Sequence, residues 1–279
     1  MSSAAGAVEV RFSRGLIRPA ILHNTAKMEK GYTVEFHCLS DVGRVRSANE
    51  DAWHADPVAG LLLVADGMGG MNSGEVASKA TAEILPKMLV DKLASLPKRT
   101  GKAVKDALKE TISEFSQMLR ERVKQNPQLS GMGSTLAMAL VEGRSVHIAN
   151  VGDSRVYILE KGRLKRLTKD HTVVAVLLAH KKITPEQAET HPARHNLARY
   201  IGIEGKAVAD MLTLKPKGES RLLLCSDGLT GMLSDEKIQA ALTDEKGPEA
   251  ASRRLVTEAN EAGGEDNVTV MVLDFKQGA

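Results

Sequence analysis

The sequence predicts an α+β fold in which two antiparallel sheets and their helices occupy separate layers. Short apolar, β-branched runs are joined by tight glycine turns at Glu142-Gly143 and Lys161-Gly162, the connections of antiparallel hairpins. Amphipathic helices come in pairs between blocks of strands, an order that fits layered α+β architecture and fits a βαβ Rossmann unit poorly. With 279 residues and an apolar fraction of 42%, the chain can build the core of one large domain.

Apolar runs bounded by Gly or Asp place strands at Thr33 to Leu39, Leu61 to Ala65, Thr135 to Val141 and Ser145 to Asn150. The same pattern gives strands at Arg155 to Glu160, Arg163 to Leu167, Arg221 to Cys225 and Val268 to Leu273. A helix is expected from Glu75 to about Leu96, presenting Ala77, Ala80, Ile84 and Met88, with Pro86 kinking it or ending its first part. From Lys102 to Lys124, Val104, Leu108, Ile112, Phe115 and Leu119 recur at spacings of three and four, which makes one buried stripe. A late pair runs from Asp235 to Leu242 and from Pro248 to Ala262, the second entered by a proline suited to the first helical turn. Between His171 and Ile201 strand character is absent. There Thr184-Pro185-Glu186-Gln187 combines an N-cap, a first-turn proline and a capping-box glutamine, so this stretch is a small helical insertion placed to act as a flap. Residues 1–30 mix Arg11, Arg14, Arg18, Lys27 and Lys30 with short apolar pieces, and a flexible arm is expected before a domain spanning 31–276.

Composition narrows the function classes. The formal charge of +3 balances 38 basic against 35 acidic residues, and aromatics are only 3%, so a nucleic-acid surface built on charge and stacking is not expected. Cys38 and Cys225 lie apart in strand-like runs, which argues against a disulfide framework or zinc site and points to a reducing cytoplasm. No apolar run is long enough to span a membrane.

The chemistry concentrates in acidic turns. Asp66-Gly67-Met68-Gly69-Gly70 follows the apolar run 61–65, Asp227-Gly228 follows 222–226, and Glu265-Asp266-Asn267 precedes 268–272. Glu50-Asp51 supplies another acidic pair. Each alone reads equally as a capped turn. Together they suggest a hard-cation site, because carboxylates gathered without a cation raise one another's pKa. Arg46, close before Glu50 and Asp51, is either a surface ion-pair partner or a planar fork for phosphate. His191 and His195 stand four apart, but Pro192 intervenes and no acidic partner flanks them, so they are set aside as metal ligands.

Arg46-Ser47-Ala48-Asn49-Glu50-Asp51, Asp66-Gly67-Met68-Gly69-Gly70, Gly133-Ser134-Thr135, Val151-Gly152-Asp153-Ser154-Arg155, Leu167-Thr168-Lys169-Asp170-His171, Ser226-Asp227-Gly228 and Glu265-Asp266-Asn267 stand in this order along residues 35 to 275. In order and spacing they resemble the motifs of the bacterial type-2C (PPM family) metal-dependent serine/threonine protein phosphatases. The resemblance implies a four-layer α-β-β-α sandwich with two central antiparallel sheets. It implies two Mn²⁺ or Mg²⁺ ions, Asp66 bridging them, Asp227 and Asp266 completing one, and Glu50 with the Gly67 carbonyl completing the other. Asp51 would hold metal-bound water, Arg46 would grip the phosphoryl oxygens, and Asp153 with Asp227 would take a third, weaker ion. All-oxygen ligation suits these metals rather than zinc.

The expected activity is direct hydrolysis of phosphoserine and phosphothreonine in proteins by a metal-bridging hydroxide, opposing a serine/threonine kinase in a signalling or secretion-control pathway. The expected partners are that kinase and its substrates, and the protein is expected to be a cytoplasmic monomer. Two other readings are a catalytically silent binding module and a phosphodiesterase or nucleotidase. The intact acidic set argues against the first, and the lack of base-stacking aromatics against the second. Met68 stands where eukaryotic relatives carry the histidine assigned as general acid, which leaves the proton donor open. His171 is either that donor or a structural residue at the flap base. Met71 replaces a histidine common in bacterial members. The flap from His171 to Ile201 is expected to control substrate choice.

Overall fold

The computed structural model describes residues 20–22, 32–70 and 73–277. Met71 and most of the arm expected over 1–30 lie outside the described residues. Strands β1 (Ala20–Leu22) and β2 (Tyr32–Asp41) pair antiparallel, and β3 (Asp51–Asp56) pairs with β4 (Leu61–Met68). Helices α1 (Ser73–Glu83), α2 (Leu85–Ala94) and α3 (Gly101–Gln125) follow. Next come β5 (Gly133–Ser134), β6 (Leu136–Glu142), β7 (Ser145–Val151), β8 (Arg155–Glu160) and β9 (Arg163–Arg166). The 171–201 stretch carries α4 (Val173–Ala179) and α5 (Pro185–Glu189). The chain ends in β10 (Asp210–Leu214), β11 (Ser220–Cys225), α6 (Asp227–Thr230), α7 (Asp235–Asp244), α8 (Gly247–Glu261) and β12 (Val268–Gln277).

One sheet has the order β1-β2-β12-β11-β8-β9 and the other β10-β7-β6-β4-β3, with β5 added beside β4. Strand alternation explains the stacking. Leu61, Leu63 and Ala65 of β4 pack against α1, α2 and α3, whereas Leu62 and Val64 face Leu222, Leu224, Met271 and Leu273 of the other sheet. On the far side, Leu223, Val270 and Val272 meet Ile238, Leu242 and Leu255 of α7 and α8. Three apolar seams therefore bind four layers, the expected α-β-β-α sandwich.

Local chemistry explains the element ends. Pro86 separates α1 from α2 and occupies the first turn of α2, where its missing N–H costs nothing. The β8–β9 loop is Lys161-Gly162, both with positive φ (52° and 73°), as a hairpin matching strand twist requires. The β6–β7 loop is Gly143-Arg144 rather than Glu142-Gly143, since Glu142 still pairs with Ser145. The Thr184 capping box forms, with Thr184 Oγ1 accepting from Gln187 N and Gln187 Oε1 from Thr184 N, but the helix it starts is only five residues long. Strands β3 and β10 were not expected from the sequence. Both lie at the margins of their sheet, where half-exposed side chains blur the apolar pattern.

Candidate metal centre

Folding brings the acidic turns to one end of the sandwich, between the sheets. Antiparallel register sets Asp51 on β3 directly opposite Asp66 on β4. Like charges so placed repel. Asp227 opens α6 directly beyond β11, and Asp266 precedes β12, the strand hydrogen-bonded to β11. Asp153 sits in the turn from β7 to β8, where the chain passes from one sheet to the other.

The titration behaviour reports this crowding. Burial pushes Asp51 up to about 8, and the charges of Asp227 and Asp266 push the same way against hydrogen bonds from Thr269 and Ser226. Burial first, then Asp227 and Asp170, raise Asp153 to about 7. Asp66 is driven well above the usual carboxylate range by burial and by Asp51, Asp227 and Asp153, and Asp227 is also raised by burial. Asp51 Oδ1 and Asp227 Oδ1 are buried without a hydrogen-bond partner.

A hard divalent cation fits this donor set. The groups are oxygen atoms of carboxylates, some lacking any other partner, in a pocket whose field disfavours their ionisation. Glu50 adds a further oxygen through close backbone contact. A Cβ on Gly74 would lie 2.8 Å from both Glu50 Oε2 and the Gly67 carbonyl oxygen, so only glycine lets these atoms face one place. Gly67 is equally constrained, its notional Cβ lying 2.0 Å from the Gly74 carbonyl oxygen. Among the described residues no three acidic, cysteine or histidine side chains already close into a finished cage. The Arg46–Asp266 ion pair at 2.8 Å occupies a carboxylate that a cation would use.

Hydroxyl and amide groups position the acids; Asn49, Thr135, Ser154, Ser226 and Asn267 stand within the motifs, whereas Ser40 and Thr269 lie outside them. Ser226 Oγ donates to Asp51 Oδ2 at 2.7 Å and accepts from Thr269 N at 2.9 Å, joining the sheets across the site. Ser40 Oγ pairs with Thr269 Oγ1 at 2.7 Å and accepts from Asn49 Nδ2 at 2.9 Å. Thr135 Oγ1 accepts from Asp66 N at 2.9 Å and contacts Ser154 Oγ at 2.6 Å, tying Asp66 to the Asp153 turn. Asn267 Oδ1 accepts from Glu50 N at 2.8 Å, while its Nδ2 donates to the Val42 and Ala48 carbonyls at 2.9 Å each. Asn267 thereby fixes the loop bearing Arg46, Glu50 and Asp51.

Arg46 lies half-exposed and pairs with Asp266 rather than with Glu50 or Asp51. His171 is buried. Its Nδ1 accepts from Gly152 N at 3.1 Å, and its Nε2 lies 3.1 Å from Arg199 Nη1 and 3.2 Å from Asp210 Oδ2. Burial lowers its pKa below the ordinary value. His195 is exposed in the 171–201 segment and its field reaches Asp227. That segment is tied down at both ends by antiparallel bridges, Thr172 to Leu197 and Ser134 to Ile201.

A family model described as "Protein phosphatase 2C" matches residues 44–259. The serine/threonine phosphatase stp of Listeria monocytogenes is 36% identical over 238 residues, covering 84% of this chain and 93% of that protein. Among solved structures, serine/threonine phosphatase Stp1 from Staphylococcus aureus matches with a TM-score of 0.77 at 33% identity, over 88% of this chain and 96% of the other. The catalytic domain of serine/threonine protein phosphatase PstP, in complex with two manganese ions, matches with a TM-score of 0.70 at 34% identity, over 88% and 99%.

Proposed function

The chain belongs to the protein phosphatase 2C family and is an enzyme of it, and from that premise we propose that it hydrolyses phosphoserine and phosphothreonine in proteins at a Mn²⁺- or Mg²⁺-dependent centre. The observation that carries the reading is the buried carboxylate set with unpartnered oxygens on Asp51 and Asp227. The two manganese ions of the PstP domain support a pair of cations here. Asp66 would bridge them, Asp227 and Asp266 would hold one, and Glu50 with the Gly67 carbonyl the other. Asp153 with Asp227 is placed to take a third.

When bound, such cations supply an activated water and the counter-charge for phosphoryl oxygens. The residues of the chain do the rest. Asp51, anchored on Ser226, orients the attacking water and accepts its hydrogen bond. Arg46 exchanges Asp266 for the phosphoryl oxygens, to which its planar fork donates. Met68 carries no proton to give, and buried, partnered His171 serves as a brace between the Asp153 turn and the flap. Flap residues 171–201 govern which phosphoproteins enter. We place the enzyme as a monomer in the cytoplasm opposing a serine/threonine kinase, a setting consistent with the free, buried Cys38 and Cys225. Among the described residues no helix is long and apolar enough to cross a membrane.

A substrate panel tests the proposal. Phosphothreonine and phosphoserine peptides should be turned over with Mn²⁺ at higher kcat/KM than nucleoside monophosphates or bis-p-nitrophenyl phosphate. A preference for nucleotides or diesters would replace the protein phosphatase reading.

A further inference from the structure

At one margin of the sandwich, β9 ends the first sheet and β10 ends the second. A groove of about 650 Å³ opens there, lined by Arg166 of β9, Asp210 of β10 and the Ala175–Val176 turn of α4. Register fixes what stands on the margin beside this groove. Lys165 pairs with Ile158 and Arg163 with Glu160 on β8, and Ile158 belongs to the seam between the sheets. Arg163 and Lys165 therefore leave β9 on the inter-sheet side. Leu212 and Leu214 pair with Ile148 and Val146 of the same seam, so they leave β10 toward that side too. Because no further strand covers this margin among the described residues, Arg163 and Lys165 are exposed and Leu212 is 38% exposed, while Val176 in the groove wall is 45% exposed.

The charges along this margin are unbalanced. Asp170 is held by Arg155 and Arg166, and Asp210 by Arg199 and His171. Lys161, Arg163, Lys165 and Lys169 are exposed and form no ion pair among the described residues. Lys217 lies near the same end, its backbone N–H reaching Glu160 Oε1 at 3.4 Å. Cations on an edge strand often only prevent strand–strand association. Here α7 already occupies the outer edge of β9, with Gln239 Oε1 accepting from Leu164 N at 2.9 Å. The groove also reaches the catalytic end: its wall residues His171 and Asp170 bond the turn that carries Asp153, through Gly152 N and Arg155.

We propose that the margin between β9 and β10 docks an acidic flank of the phosphoprotein substrate. The inference rests on the phosphatase reading and names its substrate class. Carboxylates of the flank pair with Lys169, Lys165 and Arg163 while an apolar neighbour covers Leu212 and Val176. Strand β9 runs about 13 Å, the reach of roughly four extended residues, so the bound flank is a short acidic run.

The test uses the full chain with Mn²⁺ and a pair of phosphothreonine peptides alike except for a flank of glutamates or glutamines. The wild-type protein should favour the glutamate peptide in kcat/KM by roughly five- to ten-fold at low salt, as a few exposed ion pairs allow. That preference should shrink as salt rises. Arg163→Glu with Lys165→Glu should erase or invert the ratio, and Arg163→Gln with Lys165→Gln should give an intermediate one. p-Nitrophenyl phosphate turnover of each variant reports that the centre is assembled. Equal treatment of the two peptides by the wild type, or a preference that survives charge reversal, overturns the proposal. Absence of metal-dependent turnover on every substrate would instead overturn the phosphatase reading on which it rests.

Discussion

Asn267→Ala separates a residue that organises the centre from one that merely staples the fold. The side chain is 5% exposed, accepts from Glu50 N and donates to the carbonyls of Val42 and Ala48. At about 0.5–1.5 kcal/mol net per hydrogen bond, removal should cost roughly 1.5–4.5 kcal/mol, the upper half applying where partners stay buried and unpaired. The loss should fall on the segment presenting Arg46, Glu50 and Asp51. Urea unfolding in EDTA and again in saturating Mn²⁺ resolves it. The increment that Mn²⁺ adds to stability follows RT ln(1 + [L]/Kd), so a weakened site shows a smaller increment. The variant should lose stability in EDTA and also lose at least about 1 kcal/mol of the Mn²⁺ increment, roughly a five-fold weaker Kd. A destabilised variant with the full wild-type increment would refute the positioning role.

The metal-free protein should lose stability as pH rises. Asp51 at about 8 and Asp153 at about 7 hold protons in the folded state that the unfolded chain releases near the ordinary 3.8. Stability from these groups is therefore present at low pH and lost as pH climbs from about 4 through about 8. Cation binding displaces those protons, so the Tm gap between Mn²⁺ and EDTA should widen from pH 6 to 8 by differential scanning calorimetry, and a constant gap would contradict the account. Asp274→Ala should cost about 3–5 kcal/mol in urea unfolding, because it strands Arg221. Arg221 Nε and Nη2 donate to Asp274 at 2.5 and 2.8 Å, at the end of β11 remote from Asp227, so kcat should hold. His171→Asn, whose Oδ1 can accept from Gly152 N, should retain most of the activity that His171→Ala loses, and the pH–rate profile should keep its shape. Equal loss in both would restore His171 as a proton donor.

Most of the layering is legible in the sequence because buried strands such as 61–65 and 268–273 are apolar on both faces, and because the stripe through Val104, Ile112 and Leu119 keeps helical period. Strand β3 is not, since Ala52-Trp53-His54-Ala55 lies half-buried beside a single neighbour. β10 fails for the same reason, with an exposed Asp210 and Thr213 breaking the alternation. Asp227 reads as a turn residue but opens a one-turn helix, a distinction that depends on the packing of Leu229 beneath it. The acids were found as a set from their motifs. Among their supports Ser226 lies within a motif, but Thr269 and Ser40 do not, because they converge from different strands and hydroxyl residues carry no periodic signal of their own. Local spacing also favoured an Arg46 pair with Glu50 or Asp51, whereas the fold brings Asp266 to it from the far end of the chain.

Phosphate release is proposed to depend on cations held by the buried carboxylates, which is tested by phosphate release from a phosphothreonine peptide in Mn²⁺, Mg²⁺ and EDTA, for the wild type, Asp66→Ala and Asp227→Ala. Turnover should require Mn²⁺ or Mg²⁺, vanish in EDTA and return on adding metal, and both variants should stay folded by circular dichroism yet lose activity by about a thousand-fold or more, the scale of removing one charge-stabilising group. Hydrolysis that persists in EDTA, or survives either substitution, would contradict the account.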